Sequence, residues 1–241
     1  MNLILRSLGY GGVKIAALFS GGKDSTFAIS CAKEMGHDVV CVISMHPPGD
    51  DSILFHYPNN WVTLQLANAM QIPLLTFTVS GRSKQEEINA LEEAVAHAKS
   101  LYGIEGIVHG GISSNHQKQA FDLVCMHQRI TAVAPIWDSD PETYMIKLIE
   151  RGFNIVIVAV SAMGLGREWL GKVLDIEAIS KLALLSKKYG FNLTFEGGEA
   201  ETLVVDCPLF TKRIEINSAN IRWDGQRGIF EIQDVALVEK K

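Results

Sequence analysis

The sequence has no pair of cysteines close enough to form a metal-binding or redox motif. Its four cysteines stand at positions 31, 41, 125 and 207, far from one another along the chain. This spacing argues against a zinc ribbon, an iron–sulfur cluster or a thioredoxin-type dithiol. We therefore expect reduced, buried thiols.

Long hydrophobic runs are also missing. The longest apolar stretch, residues 155–165, is about half the length that a helix needs to cross a bilayer. Residues 1–10 lack the apolar core and small-residue cleavage site of a signal peptide. We therefore predict a soluble, cytoplasmic protein with no membrane partner.

Clusters of basic residues are scarce as well. The nearest to a basic run are the pairs at 187–188 and 240–241, and the formal net charge is -5. A surface of this kind does not attract nucleic acid, so a nucleic-acid partner is not expected. The sequence contains no low-complexity tract or repeat, and 47% of its residues are apolar. This composition predicts a compact protein.

The first half of the chain alternates short β-branched runs with amphipathic segments. Strands are predicted at residues 13–19, 39–45, 74–78, 106–109 and 131–134, and helices at about 24–35, 61–70, 85–102 and 115–128. This alternation is typical of parallel strands joined by crossover helices. We predict an α/β fold with a doubly wound, mostly parallel sheet, in which ligands bind beyond the carboxyl ends of the strands.

The pattern changes after about residue 134. One strongly apolar strand is predicted at 154–160 and one helix at 176–189, and short strands and turns follow from residue 195, with a hairpin turn at Asp224 and Gly225. We predict two domains, residues 1–133 and a smaller α+β domain at 134–241. The boundary could lie anywhere from about 128 to 140.

A glycine-rich loop follows the first predicted strand directly. It reads S-G-G-K-D-S, and its members are Ser20, Gly21, Gly22, Lys23, Asp24 and Ser25. Two glycines let phosphate oxygens approach the backbone, and the amides at a helix start point toward negative charge. The serines add hydroxyl donors and Lys23 adds a mobile cation, while Asp24 is placed either to cap the helix or to help hold a magnesium ion. An ordinary glycine turn is the alternative interpretation.

This loop is not a Walker motif. Asp24 follows the lysine where a Walker motif has Ser or Thr, and Ala17 stands where its earlier glycine would be. Phosphoryl transfer from the γ position is therefore not the default expectation.

A second polar segment follows the fourth predicted strand. Ser113 and Gln117 lie there, at the start of a predicted helix, so they open onto the same edge of the sheet and are candidates for nucleotide contact. Simple helix capping by Ser114 or Asn115 is the alternative. His46 and His56 follow the second strand and are further candidates to face the cleft, although a surface or packing role is more common than a catalytic one.

In this setting the S-G-G-K-D-S loop resembles the pyrophosphate loop of the N-type ATP pyrophosphatases, and nearly the whole chain resembles the diphthine ammonia ligase family. Further segments carry the second resemblance: GGISSNHQ at 110–117, PIW at 135–137, SAMGL at 161–165, WLG at 169–171, and EGGEAET at 196–202 leading to DCPLF at 206–210. The G-G-E-x-E-T run followed by D-x-P-L-F is the most specific of these.

The resemblance implies an adenine nucleotide alpha hydrolase-like fold and an ATP- and Mg²⁺-dependent ligase. Such an enzyme amidates diphthine on elongation factor 2 with ammonium, through an acyl-adenylate, and releases AMP and pyrophosphate. The implied catalytic residues are Lys23, Asp24, Glu199 and Glu201. Implied substrate-binding residues, for ammonium or for a quaternary trimethylammonium group, are Glu196, Glu199, Glu201, Trp137 and Trp169. Solvated loop acids and core tryptophans are the alternative interpretation of these five.

Several positions depart from the family pattern. His116 replaces its usual tyrosine, Lys118 to Ala120 replace its arginines, and Asp138 and Ala200 replace a glycine and an aromatic residue. Two other functions stay open: another ligase of the same superfamily, with a small-molecule or tRNA acceptor, and a nucleotide-binding protein without turnover. The absence of cysteine pairs and of a basic face speaks against a tRNA acceptor. A homodimer is compatible with the sequence.

Overall fold

The computed structural model describes residues 12–46, 59–79 and 83–240. His56 lies outside this part of the chain. The described residues divide into two compact units: the first contains 12–20, 24–46, 72–79 and 83–137, and the second contains 21–23, 59–71 and 138–240. The main division thus falls between Trp137 and Asp138, and two segments of the amino-terminal half belong with the second unit.

The described part of the chain contains six α-helices and nine strands. The helices are α1 (Lys23–Glu34), α2 (Thr63–Met70), α3 (Lys84–Tyr102), α4 (Asn115–Gln128), α5 (Pro141–Glu150) and α6 (Ile176–Tyr189). The strands are β1 (Lys14–Leu18), β2 (Asp38–His46), β3 (Leu74–Thr78), β4 (Gly106–Val108), β5 (Thr131–Val133), β6 (Asn154–Val160), β7 (Ala200–Asp206), β8 (Lys212–Trp223) and β9 (Gly228–Glu239).

The first unit is built on a five-stranded parallel sheet with the order β3-β2-β1-β4-β5. Strand β1 is central, and all its residues except Lys14 are buried, as expected for a strand covered on both faces. The predicted α/β fold with a doubly wound parallel sheet is confirmed.

Helices α3 and α4 cover one region of this sheet. Leu91 and Val95 of α3 and Val124 of α4 are completely buried and share a core with residues of β1 and β2. Burying each such side chain stabilises the fold by about 1.5–3 kcal/mol. Three of the four cysteines are buried as predicted: Cys41 and Cys125 in this unit and Cys207 in the second unit. Burial raises the pKa of each of these thiols to about 12. Cys31 is only half-buried.

The second unit contains a four-stranded antiparallel sheet with the order β7-β6-β9-β8. Strand β6 has the bounds that the sequence predicts, and Asp224 forms the predicted hairpin turn by accepting hydrogen bonds from the amides of Gln226 (2.8 Å) and Arg227 (2.7 Å). The expectation of short strands was wrong for β8 and β9, which have 12 residues each.

Helix α5 was not predicted at all. Asp140 caps it by accepting from the Thr143 amide at 2.9 Å, and Pro141 occupies the first turn. These are standard signals of a helix start. The sequence analysis assigned no element to these residues, because Asp and Pro also favour turns. Hydrogen bonds from the side chain and then the amide of Thr143 lower the pKa of the Asp140 carboxyl.

Candidate active site

The order of strands reverses at β1, where the chain moves first to β2 and β3 on one side and then to β4 and β5 on the other. In open α/β sheets ligands bind at this switch point, beyond the carboxyl ends of the two strands involved. Two loops leave the sheet there: the glycine-rich loop after β1 and the polar segment after β4. Both carry residues that the sequence analysis selected.

The glycine-rich loop closes on itself through its two serines. The hydroxyl groups of Ser20 and Ser25 lie 3.1 Å apart, and the Ser20 amide donates to the Ser25 hydroxyl oxygen at 3.3 Å. Gly21 has a φ of 83°, a conformation that favours glycine. Helix α1 begins at Lys23 and has Asp24 in its first turn, so the loop ends at the amides of a helix start.

Gly110 lets the second loop approach the first. A Cβ atom at this position would lie 2.5 Å from the carbonyl carbon of Asp24 and 2.6 Å from the amide nitrogen of Ser25. Only glycine fits such an approach without moving the backbone. The segment after β4 is therefore packed directly on the first turn of α1.

The polar residues of this second segment lie around the start of α4. Ser114 caps that helix by accepting from the Gln117 amide at 3.4 Å, so Ser113 precedes the helix and Gln117 is in its first turn. The capping role that the sequence analysis considered for Ser114 is confirmed. Ser113 and Gln117 remain predictions as nucleotide contacts.

His109 is a residue of this region that the sequence analysis missed. It is buried at the end of β4, its Nδ1 accepts from the Gly111 amide at 3.2 Å, and its ring packs against Phe121 with centroids 4.8 Å apart. A histidine at the end of a buried strand is a signal that sequence analysis could have used. His109 braces the turn at Gly111.

Trp137 lies close to the same turn. An ideal Cβ on Gly111 would be 3.9 Å from the Trp137 ring, and the Lys118 ammonium lies 5.7 Å from the ring centroid. The ring is half-buried, so it combines an apolar body with a face that already attracts one cation. This arrangement fits the predicted cation-binding role.

Trp169 does not fit that role. Only 1% of the residue is exposed, its Nε1 has no hydrogen-bond partner, and the ammonium groups of Lys172 and Lys181 lie 5.0 and 5.6 Å from its ring centroid. A buried ring that two lysines already flank offers no face to a quaternary ammonium ligand. The core alternative considered for this tryptophan describes it better.

Lys23 belongs to the second unit and is bound by other residues of that unit. Its ammonium donates to the Thr194 carbonyl oxygen at 2.5 Å and lies 5.4 Å from the Phe195 ring centroid, and its amide donates to the Thr202 hydroxyl at 3.2 Å. The residue is only 2% exposed. The sequence analysis expected a mobile cation; the structure shows a buried one with a fixed direction.

Glu199 uses both carboxylate oxygens on its own loop. Oε1 accepts from the Asn192 amide and Oε2 from the Gly197 amide, each at 2.8 Å. The backbone beyond is tied to Ser161, whose hydroxyl donates to the Gly198 carbonyl at 2.6 Å. Glu196, within this loop, and Glu201, two residues after Glu199, are both half-buried.

Thr194, Thr202 and Asn192 were missed as site residues. Thr202 stands in the G-G-E-x-E-T run, which could have drawn attention to it, but Thr194 contributes a main-chain carbonyl that no sequence motif reveals.

His46 lies at the end of β2 with Nε2 3.1 Å from the Ser44 hydroxyl, and burial lowers the pKa of its ring.

The described residues contain neither a cluster of metal ligands nor a membrane-spanning helix. No group of three or more His, Cys, Asp or Glu side chains is arranged there to hold a metal ion. None of the helices in the same ranges has the length and apolar character needed to span a membrane.

Comparison with known proteins connects this geometry to a family. Residues 13–132 match the family model described as the diphthamide synthase N-terminal domain, and residues 140–238 match the one described as its C-terminal domain. A curated Homo sapiens protein named diphthine–ammonia ligase is 32% identical over 227 residues, which cover 87% of this chain and 85% of that protein. The Schizosaccharomyces pombe protein of the same name is 30% identical over 224 residues, 87% of this chain and 37% of its own length.

A solved structure described as a predicted subunit of tRNA methyltransferase from Methanocaldococcus jannaschii is also similar. It aligns with a TM-score of 0.40 and 13% identity over 81% of this chain and 98% of that chain. No shared function follows from a similarity this low.

The two family models match almost the whole chain. The glycine-rich loop, Gly110 and the segment after β4 lie within the first matched region, and the loop around Glu199 lies within the second. Sequence similarity thus extends over the two loops at the switch point of the first unit and over the residues of the second unit that bind Lys23. On this basis the chain belongs to the diphthamide synthase family of carbon–nitrogen ligases.

Proposed function

We propose that the protein uses ATP to amidate diphthine on elongation factor 2, giving diphthamide, AMP and pyrophosphate. The observation that carries this proposal is the closed loop at Ser20–Ser25, which ends at a helix start beside the switch point of the sheet. Curated relatives named diphthine–ammonia ligase support the choice of acceptor.

The loop suits the two outer phosphates of ATP. Gly21 has a positive φ and no side chain to block a phosphate, and the helix start and the serine hydroxyls supply donors to a polyanion. Gly110 lets the segment that carries Ser113 and Gln117 pack on the backbone of Asp24 and Ser25, and this supports our assignment of both residues as nucleotide contacts. Holding the outer phosphates leaves the innermost phosphorus open to attack.

We place the magnesium ion beside Asp24, the carboxylate in the first turn of α1. Mg²⁺ is usually held by one or two protein carboxylates together with phosphate oxygens and water, and needs no larger protein cage. When bound, it would neutralise charge on the departing phosphates. We assign Asp24 as the protein ligand.

The chemistry needs a good leaving group on the acyl carbon. A carboxylate oxygen of diphthine attacks the innermost phosphorus and pyrophosphate departs, which gives an acyl-adenylate. Ammonia then attacks the acyl carbon, a proton is lost, and AMP departs with the former carboxylate oxygen. Lys23 and the loop amides stabilise the negative charge that develops on pyrophosphate, which is an electrostatic role.

For the acceptor side we assign Glu196, Glu201 and Trp137. Carboxylates attract ammonium and the trimethylammonium group of diphthine, and an aromatic face adds attraction for a quaternary cation. Trp169 is left out because its ring is buried. Glu199 receives a different role below, because both its oxygens bind backbone amides.

The direct test combines the protein with ATP, ammonium and elongation factor 2 that carries diphthine. We expect AMP and pyrophosphate that depend on both the factor and ammonium, and one added nitrogen on the factor by mass spectrometry. ADP as the product, or tight ATP binding without any turnover, would contradict the proposal; the second result would favour a nucleotide-binding regulator.

Lys23→Met tests the role of the ammonium. The variant keeps an unbranched side chain of similar length but removes the ammonium over the Phe195 ring, and we expect AMP formation to fall by about a hundredfold, a usual effect of removing one preorganised charged donor. A thermal melt shows whether the variant is folded. Unchanged turnover in a folded variant would remove Lys23 from the mechanism.

A further inference from the structure

We infer that Glu199 and Thr202 are positioning residues for Lys23, and that Glu199 acts on ATP binding through the loop at 192–199 instead of touching the acceptor. The inference rests on the proposed function, because it assumes that ATP binds at the glycine-rich loop. It is carried by a chain of hydrogen bonds that begins at Glu199 and ends at Lys23.

The first part of this chain fixes the backbone of the glycine-rich loop. The Thr202 hydroxyl accepts from the Lys23 amide at 3.2 Å, and the Val204 amide donates to the Gly21 carbonyl at 3.0 Å. Thr202 and Val204 both belong to β7, which is the outermost strand of its sheet and so has backbone groups available on that side. Strand β7 therefore anchors the loop from Gly21 to Lys23.

The second part fixes the Lys23 ammonium. Thr194 is 1% exposed, and its carbonyl oxygen accepts from Nζ at 2.5 Å. The next residue, Phe195, has a φ of 63°, an uncommon and strained conformation for a non-glycine residue, and its ring lies under the ammonium. Such a backbone persists only where its surroundings hold it.

Asn192 and Glu199 supply that hold. The Asn192 side-chain oxygen accepts from both the amide and the hydroxyl of Thr194, each at 2.9 Å, and the Asn192 amide in turn donates to Glu199. The second oxygen of Glu199 accepts from Gly197. Glu199 thus closes the loop that sets the position of the Thr194 carbonyl.

This geometry predicts an effect on ATP and none on ammonium. A phosphate oxygen is a stronger acceptor for an ammonium group than a neutral carbonyl, so ATP can recruit Lys23 from Thr194 if the lysine is held close by. Loosening either anchor leaves Lys23 less well placed. The affinity for ATP should fall, while the affinity for ammonium should stay the same.

Two variants test the two anchors, and each has a matched control. Thr202→Val removes the hydroxyl that accepts from Lys23; Thr211→Val removes a hydroxyl of the same unit, which donates to the Ala69 carbonyl at 3.0 Å. Glu199→Gln replaces one acceptor oxygen by a donor that faces an amide. Asp224→Asn makes the same kind of change at a carboxylate that holds two amides of the β8–β9 turn.

The experiment measures the dissociation constant for ATP by calorimetry and the KM values for ATP and ammonium. We expect Thr202→Val and Glu199→Gln to weaken ATP binding by about three- to tenfold, the loss of one hydrogen bond, with an unchanged KM for ammonium. Both controls should bind ATP like the wild type. Thr202→Ser keeps the hydroxyl and should restore affinity, which separates positioning from a general loss of stability.

The outcomes distinguish this inference from the proposed function. A wild-type protein that binds no ATP overturns both. If the wild type binds ATP and the two test variants bind it equally well, only the inference fails. A raised KM for ammonium in Glu199→Gln with unchanged ATP affinity would assign Glu199 to the acceptor and also overturn it.

Discussion

At the scale of single residues, the site depends on close approaches between segments that are distant in sequence. Gly110 and Asp24 touch through their backbones, and Lys23 reaches a carbonyl 171 residues away. In each contact at least one partner is a backbone group or a glycine, which has no reactive side chain. Such residues are invisible to a search for reactive groups, although they fix where the reactive groups lie.

Gly110→Ala should disrupt the nucleotide site. The added methyl group would lie 2.5 Å from the Asp24 carbonyl carbon, and backbone atoms cannot move aside as a flexible side chain can. We expect ATP affinity to fall at least tenfold, measured by calorimetry. Gly103→Ala is the control, because the space around its Cβ position is open; it should cost some stability and leave ATP affinity unchanged.

If Gly110→Ala bound ATP normally, the segment after β4 would not define the site. Glycine at position 110 was visible in the sequence only as part of the family-like segment. Its steric reason, contact with the first turn of α1, required the structure.

At the scale of secondary-structure elements, cap residues predicted a helix start correctly where the same residues did not also favour a turn. Helix α3 starts with a capping box: the Ser83 hydroxyl accepts from the Glu86 amide at 3.3 Å, and the Glu86 carboxylate accepts from the Ser83 amide at 3.0 Å. The predicted start at about residue 85 is one residue later than the observed one. Helix α5 was missed because its cap residues also signal turns.

Ser83→Ala tests the contribution of this cap. We expect the free energy of unfolding to fall by about 1 kcal/mol, since an amide at the start of α3 loses its acceptor. Urea denaturation followed by circular dichroism measures the change. Ser180→Ala, which removes an exposed hydroxyl within α6, should change the value by less than about 0.5 kcal/mol; equal effects of the two changes would mean that the cap contributes nothing special.

The length of strands β8 and β9 could not be predicted from local sequence patterns. Their alternation is weak because most of their residues are exposed or half-buried. Pairing between the two strands, with ion pairs such as Arg222–Glu231 and Lys212–Glu239, holds them in register. Cross-strand partners stabilise a sheet, and they cannot be assigned before the pairing is known.

At the scale of the whole molecule, the second unit is assembled from separate parts of the chain. Asn59 is buried, and its side chain binds two backbone groups of β9, donating to the Phe230 carbonyl (3.2 Å) and accepting from the Ile232 amide (3.0 Å). Thr211, before β8, donates through its amide to the Ala69 carbonyl next to the end of α2. A domain boundary read from sequence as a single position does not describe this arrangement.

A fragment of residues 138–241 should therefore be unstable by itself. Without residues 59–71 it loses α2 and the Asn59 side chain, and two backbone groups of β9 lose their partners. We expect no cooperative thermal transition for the fragment by circular dichroism. A fragment that melts cooperatively near the temperature of the full chain would contradict this.

The single change Asn59→Ala supports the same test in the intact chain. It should lower the free energy of unfolding by more than 1 kcal/mol, because buried polar groups are left without partners. Asn217→Ala is the control, since Asn217 binds Asp234 on an exposed face at 2.7 Å and surface changes are usually within about 0.5 kcal/mol.

The amino-acid sequence by itself determined the βα alternation, the strand at 154–160 and the glycine-rich loop, because hydrophobic periodicity and glycine spacing act between residues that are close in the chain. The tertiary structure alone decided that Lys23 points at Thr194, that Glu199 binds its own loop and that Trp169 is enclosed. These features depend on which distant segments meet. Packing of the whole chain decides which segments meet, and hydrophobic periodicity does not predict those contacts.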